Sequence, residues 1–298
     1  MIRNRLTLKE NQEESLIRIS ALLPVSVYLT DFSDENYPAV RWHWHEDFQL
    51  CLVTAGSVRL QTAGRSYHIG KESGFFINSR FAHSVEPAEH GSSYYCINFP
   101  PDLIASPENQ ALRQAVLAPF LSGNLPPAFL FDTSHPAGIH LSGMIRRIVA
   151  LSESESEKTD GWELLIHGEI LSVWPDLLKL ARHSVLPDTP QSSISNERLT
   201  KIMDMIHTHY PEKLTLNAIA ASINLCPEEC ERFFKRMTGM TLFQYLLEYR
   251  ITKSREFLAD PGFTIAEVAQ NTGFSSQSYF TSCFKKIVGC TPNKYRKK

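Results

Sequence analysis

LTLNAIAASINLCPEECERFFKRMTGMTLFQYL, residues 214–246, and FTIAEVAQNTGFSSQSYFTSCFKKIVGCTPNKYR, residues 263–296, are two versions of one segment, offset by 49 to 50 positions with one inserted residue. Seven pairs are identical: Thr215/Thr264, Ala220/Ala269, Phe234/Phe284, Lys235/Lys285, Gly239/Gly289, Thr241/Thr291 and Tyr245/Tyr295. Self-similarity at a fixed spacing marks a repeated supersecondary unit. Thr215 and Thr264 are N-cap candidates for a short helix whose inner face is Leu216, Ile219 and Ile223, or Ile265 and Val268. Ala220 and Ala269 are small where two helices must cross closely. Four residues later stand Asn224 and Gly273, the residue types that best tolerate the positive φ of a sharp turn between helices. Cys226 and Ser275 are read as caps of a second helix, with Pro227 at its first position in one copy. Its inner stripe is Cys230, Phe233, Phe234 and Met237, or Phe280, Cys283, Phe284 and Ile287, both at i, i+3, i+4, i+7. The pattern predicts two helix-turn-helix motifs, 214–237 and 263–287, in an all-α unit.

The outer face of the second helix carries Glu228, Glu229, Glu231, Arg232, Lys235 and Arg236 in the first copy, and Gln277, Ser278, Thr281, Ser282, Lys285 and Lys286 in the second. A charged face alone is usually a solvated one; the turn chemistry, the duplication and the paired basic residues point to DNA. Charge is distributed accordingly. The whole chain has a net charge of -2, but residues 196–298 hold 15 Lys/Arg against 10 Asp/Glu, and the preceding residues 15 against 22. Within the duplicated unit, residues 196–260 balance at nine basic and nine acidic, whereas the second motif sets Lys285, Lys286, Lys294, Arg296, Lys297 and Lys298 against Glu267 alone. The first motif is expected to grip phosphate weakly and the second strongly. Between them Thr241 to Ala259 reads as one helix of about 28 Å, close to the ~34 Å of a DNA turn.

A chain of 298 residues with 43% apolar and 21% charged residues suits two globular domains. Residues 26–100 alternate short apolar runs with turn residues, as in FQLCLV (48–53), SVRLQTAGRSYHI (57–69, turning at Ala63-Gly64), GFFI (74–77) and SYYCINF (93–99), which reads as antiparallel strands. Helical periods follow at 108–121, 139–151 and 162–182. HSVLPDTPQSSISN is rich in Pro and Ser, so 184–196 is placed as a linker between an N-terminal domain, 1–183, and a C-terminal one, 197–298. The six cysteines show no CxxC spacing and are expected to be reduced thiols without structural zinc. No stretch has the form of a signal peptide or a membrane span, so no membrane partner and a cytoplasmic location are expected.

Residues 197–298 resemble the DNA-binding domain of the AraC/XylS family of bacterial regulators, IAEVAQNTGFSSQSYFTSCFKKIVGCTPNKYR (265–296) being close to its signature. The resemblance implies a site of two major-groove segments read by the helices at 227–237 and 276–287. Carried over, the DNA-facing positions are Glu228, Glu231 and Arg232, then Ser275, Gln277, Ser278, Thr281 and Ser282, with Lys235, Arg236, Lys285 and Lys286 near phosphates. At 282 the family commonly has Arg, and this chain has Ser.

RWHWHEDFQLCLVTAGSV (41–58) and GFFINSRFAHSV (74–85) look like the two motifs of a cupin barrel. His43, His45 and Gln49 align with its HxHxxxE, and His83 comes from the second motif. In metal-binding cupins the three His and the Glu are ligands; Gln49 replaces that Glu and donates less charge. Three readings stand: hydrogen-bonded barrel residues, a pocket for a small polar effector, or a metal site. The second is taken, with effector-binding residues His43, His45, Gln49 and His83, and no metal or cofactor. The fold expected is multi-domain α+β, a cupin-like barrel with trailing helices followed by an all-α double helix-turn-helix. The function expected is a transcription regulator, more an activator than a repressor, controlled by a small effector such as a carbohydrate, and not an enzyme. Its partners would be double-stranded DNA, the effector, a second copy in a homodimer and, for an activator, RNA polymerase. The rival is a metal-dependent cupin enzyme or metal sensor joined to a DNA-binding domain.

Overall fold

A computed structural model of the chain describes residues 2–3, 14, 16–34, 39–62, 64–121, 125–153, 160–183, 191–260 and 262–296. It divides into two units, Met1–Glu197 and Arg198–Lys298. No helix among the described residues is long and apolar enough to cross a membrane.

The alternating runs of the first unit are strands: β1 (Ile2–Arg3), β2 (Ser26–Asp31), β3 (Val40–His43), β4 (Phe48–Ala55), β5 (Ser57–Thr62), β6 (Arg65–Gly70), β7 (Gly74–Ile77), β8 (His83–Pro87), β9 (Ser93–Phe99) and β10 (Ala128–Phe131). They form a six-stranded sheet, β1-β2-β9-β4-β7-β10, and a four-stranded one, β3-β8-β5-β6. β4 shows how the layers stack, because it is buried without a break from Phe48 to Val53, as a strand covered on both faces must be. Phe48, Leu50 and Leu52 enter an apolar layer with α3 (Pro136–Glu153) and α4 (Trp162–His183). Cys51 and Val53 turn the other way and meet Val58, Leu60, Ile69 and Val85 of the smaller sheet. The two sheets therefore face one another as a cupin-like barrel, with Gln49, Cys51 and Val53 on the inner face of β4.

Trp174 pins the helical cover. Its ring lies 4.8 to 6.5 Å from those of Phe48, Phe76, Phe99 and Phe120, and its indole N–H donates to the Val116 carbonyl. The helix expected over 108–121 is broken into α1 (Gln110–Val116) and α2 (Ala118–Leu121), because Pro119 has no N–H to continue the ladder. The linker expected at 184–196 also needs correction. Residues 184–190 lie outside the described ones, and 191–196 are already helix, the start of α5 (Gln191–His209). Polar composition argued for a loop there. Once Leu199, Ile202, Met203 and Ile206 are buried at helical spacing, the helix is nucleated and extends back over polar turns at little cost.

In the second unit α5 is followed by α6 (Leu216–Ser222), α7 (Pro227–Thr238), α8 (Leu242–Ala259), α9 (Ile265–Asn271), α10 (Gln277–Val288) and α11 (Pro292–Arg296). The pairs α6–α7 and α9–α10 are the two helix-turn-helix motifs. Asn224 and Gly273 hold positive φ in the turns, 55° and 79°. Thr215 caps α6, and Thr241 and Thr264 form reciprocal capping boxes with Gln244 and Glu267. Two expectations shift. The cap of α10 is Ser276, whose hydroxyl accepts from the Tyr279 N–H, not Ser275; the inserted residue falls in the turn, so the partner of Cys226 lies 50 positions on, not 49. Ile287 is 37% exposed, and Val288 packs on the core of this motif instead.

Arg250 of α8 ties the unit together, donating from Nε to the Tyr210 carbonyl and from Nη2 to that of Glu212. Gly273 sits against the same loop: a Cβ there would lie 2.6 Å from the Tyr210 carbonyl oxygen and 2.8 Å from that of Pro211. Gly273→Ala is therefore expected to destabilise the unit by about 1–3 kcal/mol, while Asn224→Gly changes stability by less than about 1 kcal/mol; thermal unfolding of the two variants compares them. His207 is buried beside Tyr249, ring centroids 4.3 Å apart, with Nε2 2.7 Å from the Tyr245 hydroxyl. Burial holds its pKa well below the ordinary value. The folded histidine stays neutral while the unfolded chain takes a proton below about pH 6.5, so stability is complete above that pH and declines beneath it. Denaturant titrations should show His207→Gln losing about 1.4 kcal/mol per pH unit less than the parent between pH 6 and 5.

Candidate functional site

Each recognition helix is seated by the same contact: Phe234 meets Tyr245 edge-on at 5.4 Å, and Phe284 meets Tyr295 edge-on at 5.5 Å. With Cys230, Phe233, Phe234 and Met237 buried, α7 turns Glu228, Arg232, Lys235 and Arg236 to solvent. Glu231 departs from the expected outer face. It is half-buried, and its Oε2 is enclosed with no hydrogen-bond partner. The Arg236 guanidinium lies 5.7 Å from the Phe233 ring centroid. Around α10, Ser275, Gln277, Ser278, Ser282, Lys285 and Lys286 are exposed and Thr281 is half-buried. Neither Lys285 nor Lys286 makes a salt bridge among the described residues, which leaves both charges to solvent. Tyr279, 53% exposed on the same helix, is a surface aromatic that the periodicity did not single out. Because Ser276 alone caps α10, Ser276→Ala is expected to cost about 1 kcal/mol of unfolding free energy and Ser275→Ala far less, as denaturant titration would measure.

Inside the barrel the register sets His43 of β3 opposite His83 of β8. His45 follows two residues later, and the three ring centroids lie 4.2, 5.0 and 5.9 Å apart. All three side chains are buried. Each Nδ1 faces a main-chain carbonyl, that of Arg41 at 2.7 Å, Asp47 at 2.7 Å and Phe81 at 2.9 Å. A carbonyl only accepts, so Nδ1 carries the proton and Nε2 is left with its lone pair. Burial lowers all three pKa values, that of His43 to about 3, with the neighbouring imidazoles adding to the effect at His43 and His83. The rings are thus neutral, and the Nε2 atoms of His45 and His83 are enclosed without a partner.

Gln49 lies next to this nest, beside His45, but its Nε2 donates to Cys96 Sγ at 3.1 Å. Cys96 in turn donates to Asn98 Oδ1 at 3.0 Å. The carboxylate at the nest comes from Glu14, which sequence reasoning missed. Its N–H donates to the Trp44 carbonyl, which docks Glu14 against the histidine segment. Its Oε2 accepts from Asn98 Nδ2 at 3.2 Å and lies 3.9 Å from His43 Nε2. Nothing local marks this glutamate among the acidic residues around it. A separate surface hollow, lined by Phe32, Ser33, Asp34 and Pro87 to His90, lies at the far end of β8 from His83.

The whole chain matches known regulators. Residues 219–298 fit the family described as a helix-turn-helix domain, and residues 25–171 the AraC-like ligand binding domain. YdeC of Bacillus subtilis (strain 168), an uncharacterized HTH-type transcriptional regulator, is 30% identical over 290 residues, 97% of each chain. The HTH-type transcriptional activator RhaS of Klebsiella pneumoniae (strain 342) is 24% identical over 256 residues, 85% of this chain and 86% of its own. Among solved structures, ToxT of Vibrio cholerae O395 is similar over 92% of this chain and 97% of its own, with 14% identity and a TM-score of 0.44. The chain belongs to the AraC family of transcriptional regulators, with a ligand-binding domain ahead of a DNA-binding domain of two helix-turn-helix motifs.

Proposed function

We propose that this regulator is a one-component transcription activator in which a small ligand at the histidine nest controls two unequal DNA readers. The observation that carries the inequality is the contrast between two similarly exposed helix faces. α10 offers Lys285 and Lys286 with no acidic side chain in the helix, whereas α7 begins with Glu228 and Glu229. In this reading α10 anchors on phosphate, and Gln277, Ser278, Thr281 and Ser282 approach base edges, Gln277 suiting adenine. Arg232 of α7 is the selective contact, suited to guanine, with Lys235 and Arg236 at phosphates and Glu228 excluding wrong positions by repulsion. Glu231, with one oxygen enclosed, keeps a single oxygen for a cytosine amino group. Activation is favoured by likeness to RhaS, which is named an activator, and it would make RNA polymerase a partner.

The effector is small and polar. Three neutral imidazoles presenting lone pairs favour a ligand that brings hydrogen-bond donors, as a sugar does, or one that brings positive charge. A homodimer is supported by the apolar stripe that α4 leaves in solvent, Leu164 and Leu171, with Leu165 beside it. An Arg147–Glu169 ion pair and a His140–Asp176 hydrogen bond join α3 to α4. Sedimentation equilibrium should show a dimer that Leu164→Glu with Leu171→Glu converts to monomer; an unchanged mass rejects this face. For DNA, Lys285→Ala with Lys286→Ala is expected to reduce the slope of log K against log salt by about 1.8. Arg232→Ala should instead relax discrimination at one base pair by about 1–3 kcal/mol. Anisotropy titrations on duplexes selected from a random library measure both, and an unchanged salt slope defeats the anchoring role of α10.

A further inference from the structure

We infer that the barrel binds one divalent first-row metal ion of the zinc or iron(II) kind through Nε2 of His43, His45 and His83 and the carboxylate of Glu14. This deepens the effector-site reading by naming the ligand class of the same nest, and it departs from the expectation of no metal. The nitrogen donors lie within 4.8 Å of one another. Three imidazoles bound to one such ion place their ring centroids about 4.5–5 Å apart, and here the separations are 4.2, 5.0 and 5.9 Å. The rings are also wired as ligands are: a coordinating histidine donates its second N–H to a carbonyl or carboxylate, which fixes the tautomer and aims the lone pair. All three do so, to Arg41, Asp47 and Phe81.

Without a cation the arrangement is costly. The enclosed Nε2 lone pairs of His45 and His83 have no partner among the described residues. A divalent ion satisfies both at once. Gln49, at the position where metal-binding cupins have Glu, is engaged with Cys96, and Glu14 supplies the missing charge from 29 residues before His43. Three nitrogens and one carboxylate suit zinc or iron(II) over magnesium or calcium, which take oxygen shells.

The test uses the full chain, stripped with a chelator and titrated with cobalt(II) alone. Saturation at one ion per chain is expected, with visible ligand-field absorption, a raised unfolding temperature and displacement by zinc. Glu14→Gln, which keeps the amide-compatible shape and the partner Asn98, should weaken cobalt binding at least tenfold; His83→Ala should abolish it; Cys96→Ser should leave the spectrum unchanged. Absence of stoichiometric absorption overturns the inference, as does a spectrum that shifts with Cys96→Ser, and an affinity unmoved in Glu14→Gln removes the carboxylate from the site. DNA binding by the same samples separates this inference from the effector reading. Cobalt that binds without changing DNA affinity leaves the metal site standing and defeats its role as effector, whereas a sugar that stabilises a chain deaf to cobalt does the reverse.

Discussion

The edge-on contact between Phe234 and Tyr245, repeated as Phe284 and Tyr295, is the constraint on which the DNA-binding unit depends. It joins the recognition helix of each motif to the next element in the chain, α8 in one case and α11 in the other. An aromatic pair of this kind fixes orientation as well as burial, because ring edges and faces attract in specific geometries. With the inner stripe pinned, the outer stripe has one direction left to face. That is why two helices with unlike surfaces, one acidic at its start and one basic at its end, can sit in equivalent frames. The shared Phe and Tyr lie in the frame, whereas on the outer faces the two helices share Lys235/Lys285 and differ in most other residues.

The barrel works by another principle. β4 is buried on both faces, so its outer residues bind the helices while the inner Cys51 and Val53 pack on apolar residues of the smaller sheet and Gln49 lies beside the histidines. The Nδ1 atoms of the histidines there are held by main-chain carbonyls. Their tautomers are thereby set by the course of the backbone around β3 and β8. A burial cost that would otherwise fall on three imidazoles is partly offset by these hydrogen bonds. What remains unsatisfied is concentrated on the nitrogens that point at one another.

Much of this was legible in the sequence where the signal is local. Period-two runs marked the strands, a 49-to-50-residue repeat marked the motifs, and Asn224 and Gly273 marked turns whose φ is positive. Alternation placed His43 and His45 on one face, as found. The failures have physical causes. The cap moved from Ser275 to Ser276 because capping depends on where an insertion falls, which the pairing of similar residues does not reveal. The helix over 191–196 depends on burial further along α5, which overrides a polar, Ser-rich composition. Glu231 looked like part of a solvated charge run and is half-buried. Glu14 was beyond reach, since its contacts with Trp44 and Asn98 join segments 30 and 84 residues away and leave no trace in spacing.

Arg250 carries one more consequence. Its guanidinium holds the loop before the first motif and lies beside the turn of the second, where its Nη2 would be 2.9 Å from a Cβ at Gly273. The two readers are thus joined at a rigid seam and not by a flexible tether. A base pair inserted between their two DNA segments would rotate one by about 34° relative to the other, given ~10.5 base pairs per turn. On the proposed reading of both helices, such a seam makes recognition sensitive to helical phase as well as to base identity, so the distance between target segments is constrained even where the intervening sequence is free.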